Sequence, residues 1–235
     1  MKLYKFQTVN ENSLAALSEF SLYFARSEQM NDPTENMFRL LEFNKNDMYS
    51  PDISVLNEMG ILSMAIGEKS LIEESPFMWA HYGNELKGFC LVFDFSKFVV
   101  GIENDVEKFG HIQYKRFPRL LSGDNLINEN SGLENVAGTN FQENNLNRVY
   151  EVCFFDKPAD FEHEQEFRFI TQSCGLKPYK PQSLLSVIIG EKMCVEDRDK
   201  LLSVVEKLGI EHKIKVAKVK ENSFKIHVTS GEENL

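Results

Sequence analysis

The chain has 235 residues, of which 42% are hydrophobic and 26% charged, the make-up of one large folded domain rather than of a disordered segment or a repeat array. Its 36 acidic and 26 basic side chains leave a formal charge of −10, a field that repels nucleic-acid phosphate and disfavours general DNA or RNA binding. No stretch approaches the roughly 18 apolar residues of a membrane span, and Met1 to Phe6 lack the apolar core of a secretion signal.

In chain order, residues 2–6 alternate and residues 22–25 are rich in aromatics, so both read as strands. Between them Asn12-Ser13 can cap a short helix starting near Leu14. Asn31-Asp32-Pro33 is a turn signal that can open a helix over residues 33–42. Residues 60–66 and 88–95 read as buried strands, and residues 76–83 as a short helix stopped by Gly83. From 122 to 147 the chain turns to Asn, Gly and Glu, the composition of a long surface insertion that serves as a lid or as decoration. Strand-like runs resume at 149–155, 164–170 and 184–189. A helix opening at Val195 places Leu201, Leu202, Val205 and Leu208 at helical spacing before Gly209 ends it. Strands follow at 214–219 and 224–228, and residues 231–235 form a frayed tail. Strands without regular βαβ alternation predict one α+β domain over 1–230, with a mixed, mainly antiparallel sheet and peripheral helices.

Cys90, Cys153, Cys174 and Cys194 form no C-x-x-C pair, and no close pair of histidines exists. Zinc or another metal is therefore not indicated, and the unpaired thiols fit a reducing cytoplasm. The most informative segment is Glu164-Gln165-Glu166-Phe167-Arg168. On a strand, Glu164, Glu166 and Arg168 share one face, and a row of two carboxylates and a guanidinium can separate acid and base roles. A solvated, structural charge ladder is the bland alternative. A second segment, Met78-Trp79-Ala80-His81-Tyr82 with Lys87-Gly88, holds the sole tryptophan. It could wall a flat ring, with His81 and Tyr82 as polar handles, or it could be an aromatic core cluster. Asn31 and Asp32 could join a polar site or merely shape a turn. Ser63 lacks the G-x-S-x-G context of a hydrolase nucleophile.

These segments resemble the domain of unknown function 2971 family of bacterial proteins. The likeness rests on Leu3-Tyr4-Lys5, Asn31-Asp32-Pro33-Thr34-Glu35, Ser63, Met78-Trp79-Ala80-His81-Tyr82 with Lys87-Gly88, and Glu164-Gln165-Glu166-Phe167-Arg168. It implies a shared pocket with Glu164, Glu166 and Arg168 as catalytic candidates. Tyr4, Lys5, Asn31, Asp32, Ser63, Trp79, His81, Tyr82 and Lys87 are then the ligand-binding candidates. The chain order of a basic first strand, a serine-bearing middle strand and a late Glu-x-Glu strand is similar to the layout of ADP-ribosyltransferases of the Arg-Ser-Glu type. That likeness implies NAD as a substrate, with Glu166 or Glu164 on the ribose, Lys5 on phosphate, Ser63 supporting the ribose contact, and Trp79, His81 or Tyr82 walling the nicotinamide. The rival expectation is a non-enzymatic module binding a small molecule or a protein partner. A phosphodiesterase is a third, disfavoured by the acidic charge.

Overall fold

The computed structural model describes residues 1–30, 39–41, 58–117, 120–122 and 151–230. The first elements in chain order are β1 (Lys2–Gln7), α1 (Glu11–Ser18), β2 (Ser21–Phe24), β3 (Arg39–Leu41), β4 (Gly60–Gly67) and α2 (Pro76–His81). They are followed by β5 (Phe89–Asp94), α3 (Phe95–Ile102), β6 (Val106–His111), β7 (Gln113–Lys115), β8 (Leu120–Ser122) and β9 (Asp156–Pro158). The last are β10 (Glu166–Thr171), β11 (Gly175–Pro178), β12 (Leu184–Gly190), a helix α4 (Val195–Lys207), β13 (Ile214–Val219) and β14 (Ile226–Ser230).

Eight strands form one sheet in the order β14-β13-β12-β5-β1-β4-β10-β6. Every neighbouring pair is antiparallel except β12 and β13, whose parallel pairing is reached through α4. The fold is α+β. Alternation along the strands sends side chains to opposite faces. On one face Leu3, Leu62, Met64, Phe89, Leu91, Phe93, Phe167 and Phe169 meet Leu17 of α1, Phe98 of α3, and Leu201 and Val205 of α4. On the other, Tyr4, Ala65, Cys90, Val92, Ile188 and Ala217 meet Met78 and Trp79 of α2. Among the described residues no helix is long and apolar enough to cross a membrane.

Several local expectations are corrected. The cap of α1 is Asn10, whose Oδ1 accepts from the Ser13 amide at 2.9 Å while Ser13 Oγ accepts from the Asn10 amide at 3.0 Å. Residues 151–155 are helical, not a strand, because a run of buried apolar residues carries no period that separates the two. Residues 39–41 form a strand rather than the end of a helix, while the rest of that predicted helix lies outside the described residues. The expected insertion begins inside β8 at Ser122; residues 123–147, like the tail at 231–235, lie outside the described residues. Gly83 has φ −91° and so is not a left-handed stop. A Cβ there would lie 2.5 Å from the Trp79 ring, so its role is to let that ring close. Gly209, at φ +65°, is the left-handed stop expected after α4.

Candidate functional site: a buried cluster of two carboxylates and two cations

Strand β10 begins at Glu166, one residue after Gln165 turns through the left-handed region at φ 49°, and residues 159–164 before it form a 3-10 turn. Glu164 therefore reaches the cluster from a turn and not, as its spacing suggests, from the same strand face as Glu166. Within β10 the register sets Glu166 opposite Ala65 and Arg168 opposite Ser63 of β4. The charged side chains lie beside short ones.

Arg168 is fully buried and Glu166 is 5% exposed. The guanidinium grips both oxygens of that carboxylate, Nε donating to Oε1 at 2.6 Å and Nη2 to Oε2 at 3.3 Å. Its Nη1 donates to the Phe154 carbonyl at 3.0 Å. Lys157, carried in by β9, bridges the two acids: Nζ donates to Glu164 Oε2 at 2.6 Å and to Glu166 Oε2 at 2.9 Å. It also lies 4.9 Å from the centre of the Phe161 ring. The Tyr82 hydroxyl donates to Glu164 Oε1, and the Glu166 amide donates to the Tyr114 hydroxyl at 2.9 Å. Among the described residues two carboxylates thus face two cations in a site largely closed to water, and pairing of this kind is what lets buried ions be tolerated.

The electrostatics follow from this packing. Burial alone would raise the Glu166 carboxyl, but Arg168 and Lys157 outweigh it and hold its pKa near about 2. Burial pulls Lys157 down, and Glu166 and Glu164 more than restore it, so its pKa is raised. Burial and the neighbouring carboxylates push up the phenols of Tyr82 and Tyr114. At neutral pH the site holds a carboxylate at Glu166, an ammonium at Lys157 and protonated phenols at Tyr82 and Tyr114.

The sheet brings together most, but not all, of the residues singled out by sequence. Lys5 lies where β1 and β4 part after Tyr4, and its Nζ donates to the Ser63 carbonyl at 2.8 Å. Burial lowers its pKa, against the pull of Glu166. The Lys5 ammonium is therefore engaged by the sheet itself. The Ser63 hydroxyl and the buried Tyr4 hydroxyl meet no hydrogen-bond partner in good geometry among the described residues. Trp79 is 1% exposed, donates through Nε1 to the Glu73 carbonyl at 2.8 Å and meets Phe6 edge-on at 5.1 Å. It is a core anchor rather than a wall open to a ligand. His81 is exposed and stacks on Phe77 at 4.3 Å, with His163 on the ring's other side at 3.8 Å. Lys87 is exposed and pairs with Glu85 at 2.7 Å. Asn31 and Asp32 lie outside the described residues. Lys157 and Tyr114, both central to the cluster, escaped sequence reasoning because no local spacing ties them to Glu166. Among the described residues no group of three or more His, Cys, Asp or Glu side chains is placed to hold a metal ion.

A family model described as "Protein of unknown function (DUF2971)" matches residues 78–169. Over that segment the chain is similar to the DUF2971 family. The DUF2971 match takes in the part of α2 from Met78 with Trp79, then Tyr82, the Lys87-Gly88 pair, Tyr114, Lys157 and the Glu164-to-Arg168 element, so the ion cluster described above falls within it. Leu3-Tyr4-Lys5, the Asn31-to-Glu35 element and Ser63 precede it. No curated protein and no solved structure matches the chain.

Proposed function

We propose that this protein cleaves the N-glycosidic bond of NAD in the manner of an ADP-ribosyltransferase, with Glu166 as the central carboxylate. The observation that carries the reading is the adjacency of β1, β4 and β10, which lines up Lys5, Ser63 and Glu166 on three neighbouring strands. Chain order alone left these residues up to 161 positions apart (166 − 5). In this chemistry the bond from ribose C1′ to the nicotinamide nitrogen breaks with its electron pair leaving on nicotinamide. As it breaks, an ionised carboxylate stabilises the developing oxocarbenium charge and holds a ribose hydroxyl, and water or an acceptor nucleophile forms the new bond to C1′ and releases its proton to solvent. Glu166, held near about 2, is ionised throughout the neutral range. A ribose hydroxyl bonds to Glu166 when Lys157 moves wholly onto Glu164, which already holds it at 2.6 Å. Arg168 keeps the carboxylate aimed and is a positioning residue. The Ser63 hydroxyl adds hydrogen-bonding capacity beside it.

The rival reading, a non-enzymatic module for a small ligand or partner protein, draws on one observation: both oxygens of Glu166 are already occupied inside the protein. The deciding experiment measures nicotinamide release from NAD, with water and with a panel of acceptors, by the wild type and by Glu166→Gln and Tyr82→Phe. Release that is lost in Glu166→Gln, with the variant's fold checked by circular dichroism, is the expected result. Absence of release together with absence of an NAD-induced thermal shift overturns the transferase reading and leaves the binding module.

A further inference from the structure

Strand β6 is the last in the sheet order, and no described strand pairs with its outer edge. A groove of about 450 Å³ opens along this edge, within the range of small-ligand sites. It is lined by Phe109, Gly110 and Phe155, with Lys108, His111 and Lys115 as its basic side chains. Among the described residues that line it, the one acid is Glu151, 3.1 Å from Lys108. That pair is half-exposed and water-screened, so it leaves most of the Lys108 charge available to a ligand. In a chain of net charge −10, two lysines and a histidine around one groove favour an anion there.

The groove adjoins the ion cluster. Gly110 stands opposite Arg168 and His111 opposite Phe167 in the β6–β10 pairing, and the Ile112 amide donates to the Glu166 carbonyl at 3.0 Å. Phe155 follows Phe154, whose carbonyl holds the Arg168 guanidinium. Groove and carboxylate are one strand apart, about 4.8 Å between backbones. The reading of Glu166 as a ribose carboxylate needs a cation near it for the phosphates. Lys5 already donates to the Ser63 carbonyl, whereas Lys108 and Lys115 border the open groove.

We propose that the β6 groove is a diphosphate site, with Lys108 and Lys115 as its ligands, His111 at its rim and Phe155 as its apolar wall. Gly110 adds no side chain beside that wall: a Cβ there would come within 3.4 Å of the Phe155 ring. Only the identity of the natural ligand, the diphosphate of NAD, rests on the transferase reading.

The test is calorimetric titration of the full chain with inorganic pyrophosphate, for the wild type, for Lys108→Glu combined with Lys115→Glu, and for Lys97→Glu. Lys97 lines a separate shallow groove beside Lys180 and serves as the charge control. Binding by the wild type that weakens with salt, falls at least about tenfold in the double variant and is unchanged in Lys97→Glu supports the site. No binding by the wild type, equal affinity in the double variant, or a loss confined to Lys97→Glu overturns it. Nicotinamide release separates the two readings. Pyrophosphate binding with neither release nor an NAD-induced thermal shift leaves the groove as a phosphate site and removes the NAD reading, whereas release with an unchanged KM for NAD in the double variant removes the assignment of the groove to the NAD diphosphate.

Discussion

At the scale of single residues, Glu166 keeps its charge inside the protein only because Arg168 and Lys157 stand against both of its oxygens. Replacing it by glutamine takes from those two cations the buried carboxylate they share, and we expect a loss of about 3–5 kcal/mol in urea unfolding at pH 7. The pH dependence has a definite sign. The folded pKa, near about 2, lies below the ordinary glutamate value of about 4.3. The stabilisation is therefore fully present above about pH 4.3 and is lost as pH falls towards 2. The stability gap between wild type and Glu166→Gln should narrow across that window, and a gap that stays constant from pH 7 to pH 3 contradicts the assignment. Removing the Tyr82 hydroxyl with Tyr82→Phe strips one buried oxygen of Glu164 of its donor, at an expected cost of about 1–3 kcal/mol. The pairing of Glu166 with Arg168 was legible, because a two-residue spacing on a strand puts side chains on one face. Glu164 arrives by a turn instead, and Lys157 by the pairing of β9 with β7, which no local pattern announces.

Among the elements, α2 is placed by its contacts more than by its six residues, too few to be stable alone. Ser75 caps it by accepting from the Met78 amide at 3.3 Å, Trp79 pins it to the Glu73 carbonyl, and Gly83 leaves room for the Trp79 ring. Gly83→Ala forces a carbon into that ring and should cost about 1–3 kcal/mol in thermal or urea unfolding, with Tyr82 displaced from Glu164. The strands β1, β2, β4 and β5 and the helix α4 could be read from alternation, apolar runs and helical spacing, whereas β3 was taken for the end of a helix. Helix α3 could not, because its apolar residues continue the run of β5 without a break in composition. Asp94 makes the division: its Oδ1 accepts from the Lys97 amide at 2.9 Å and turns an extended run into a helix. The helical stretch at 151–155 was lost to the same ambiguity.

Over the whole molecule, the four cysteines are free, Cys90 and Cys153 buried, Cys174 half-buried and Cys194 exposed. A thiol-reactive dye should label Cys194 at once and Cys174 more slowly, and reach Cys90 and Cys153 at the rate of unfolding; mass-spectrometric mapping checks the order. Burial pushes the thiols of Cys90 and Cys153 up, which reinforces their inertness. The position of β1 governs a different property, the timing of assembly. Lying in mid-sheet, β1 must wait for β4 and then for β5 to be made before both of its edges are paired. On a growing chain it stays exposed until Asp94 has left the ribosome, and the pairing of β10 with β4 cannot finish before Thr171. The protein is thus built around its earliest strand but closed by late ones, a topology of distant contacts that folds slowly. The charged members of the cluster, Lys157, Glu164, Glu166 and Arg168, are synthesised close together late in the chain and meet only as the sheet locks.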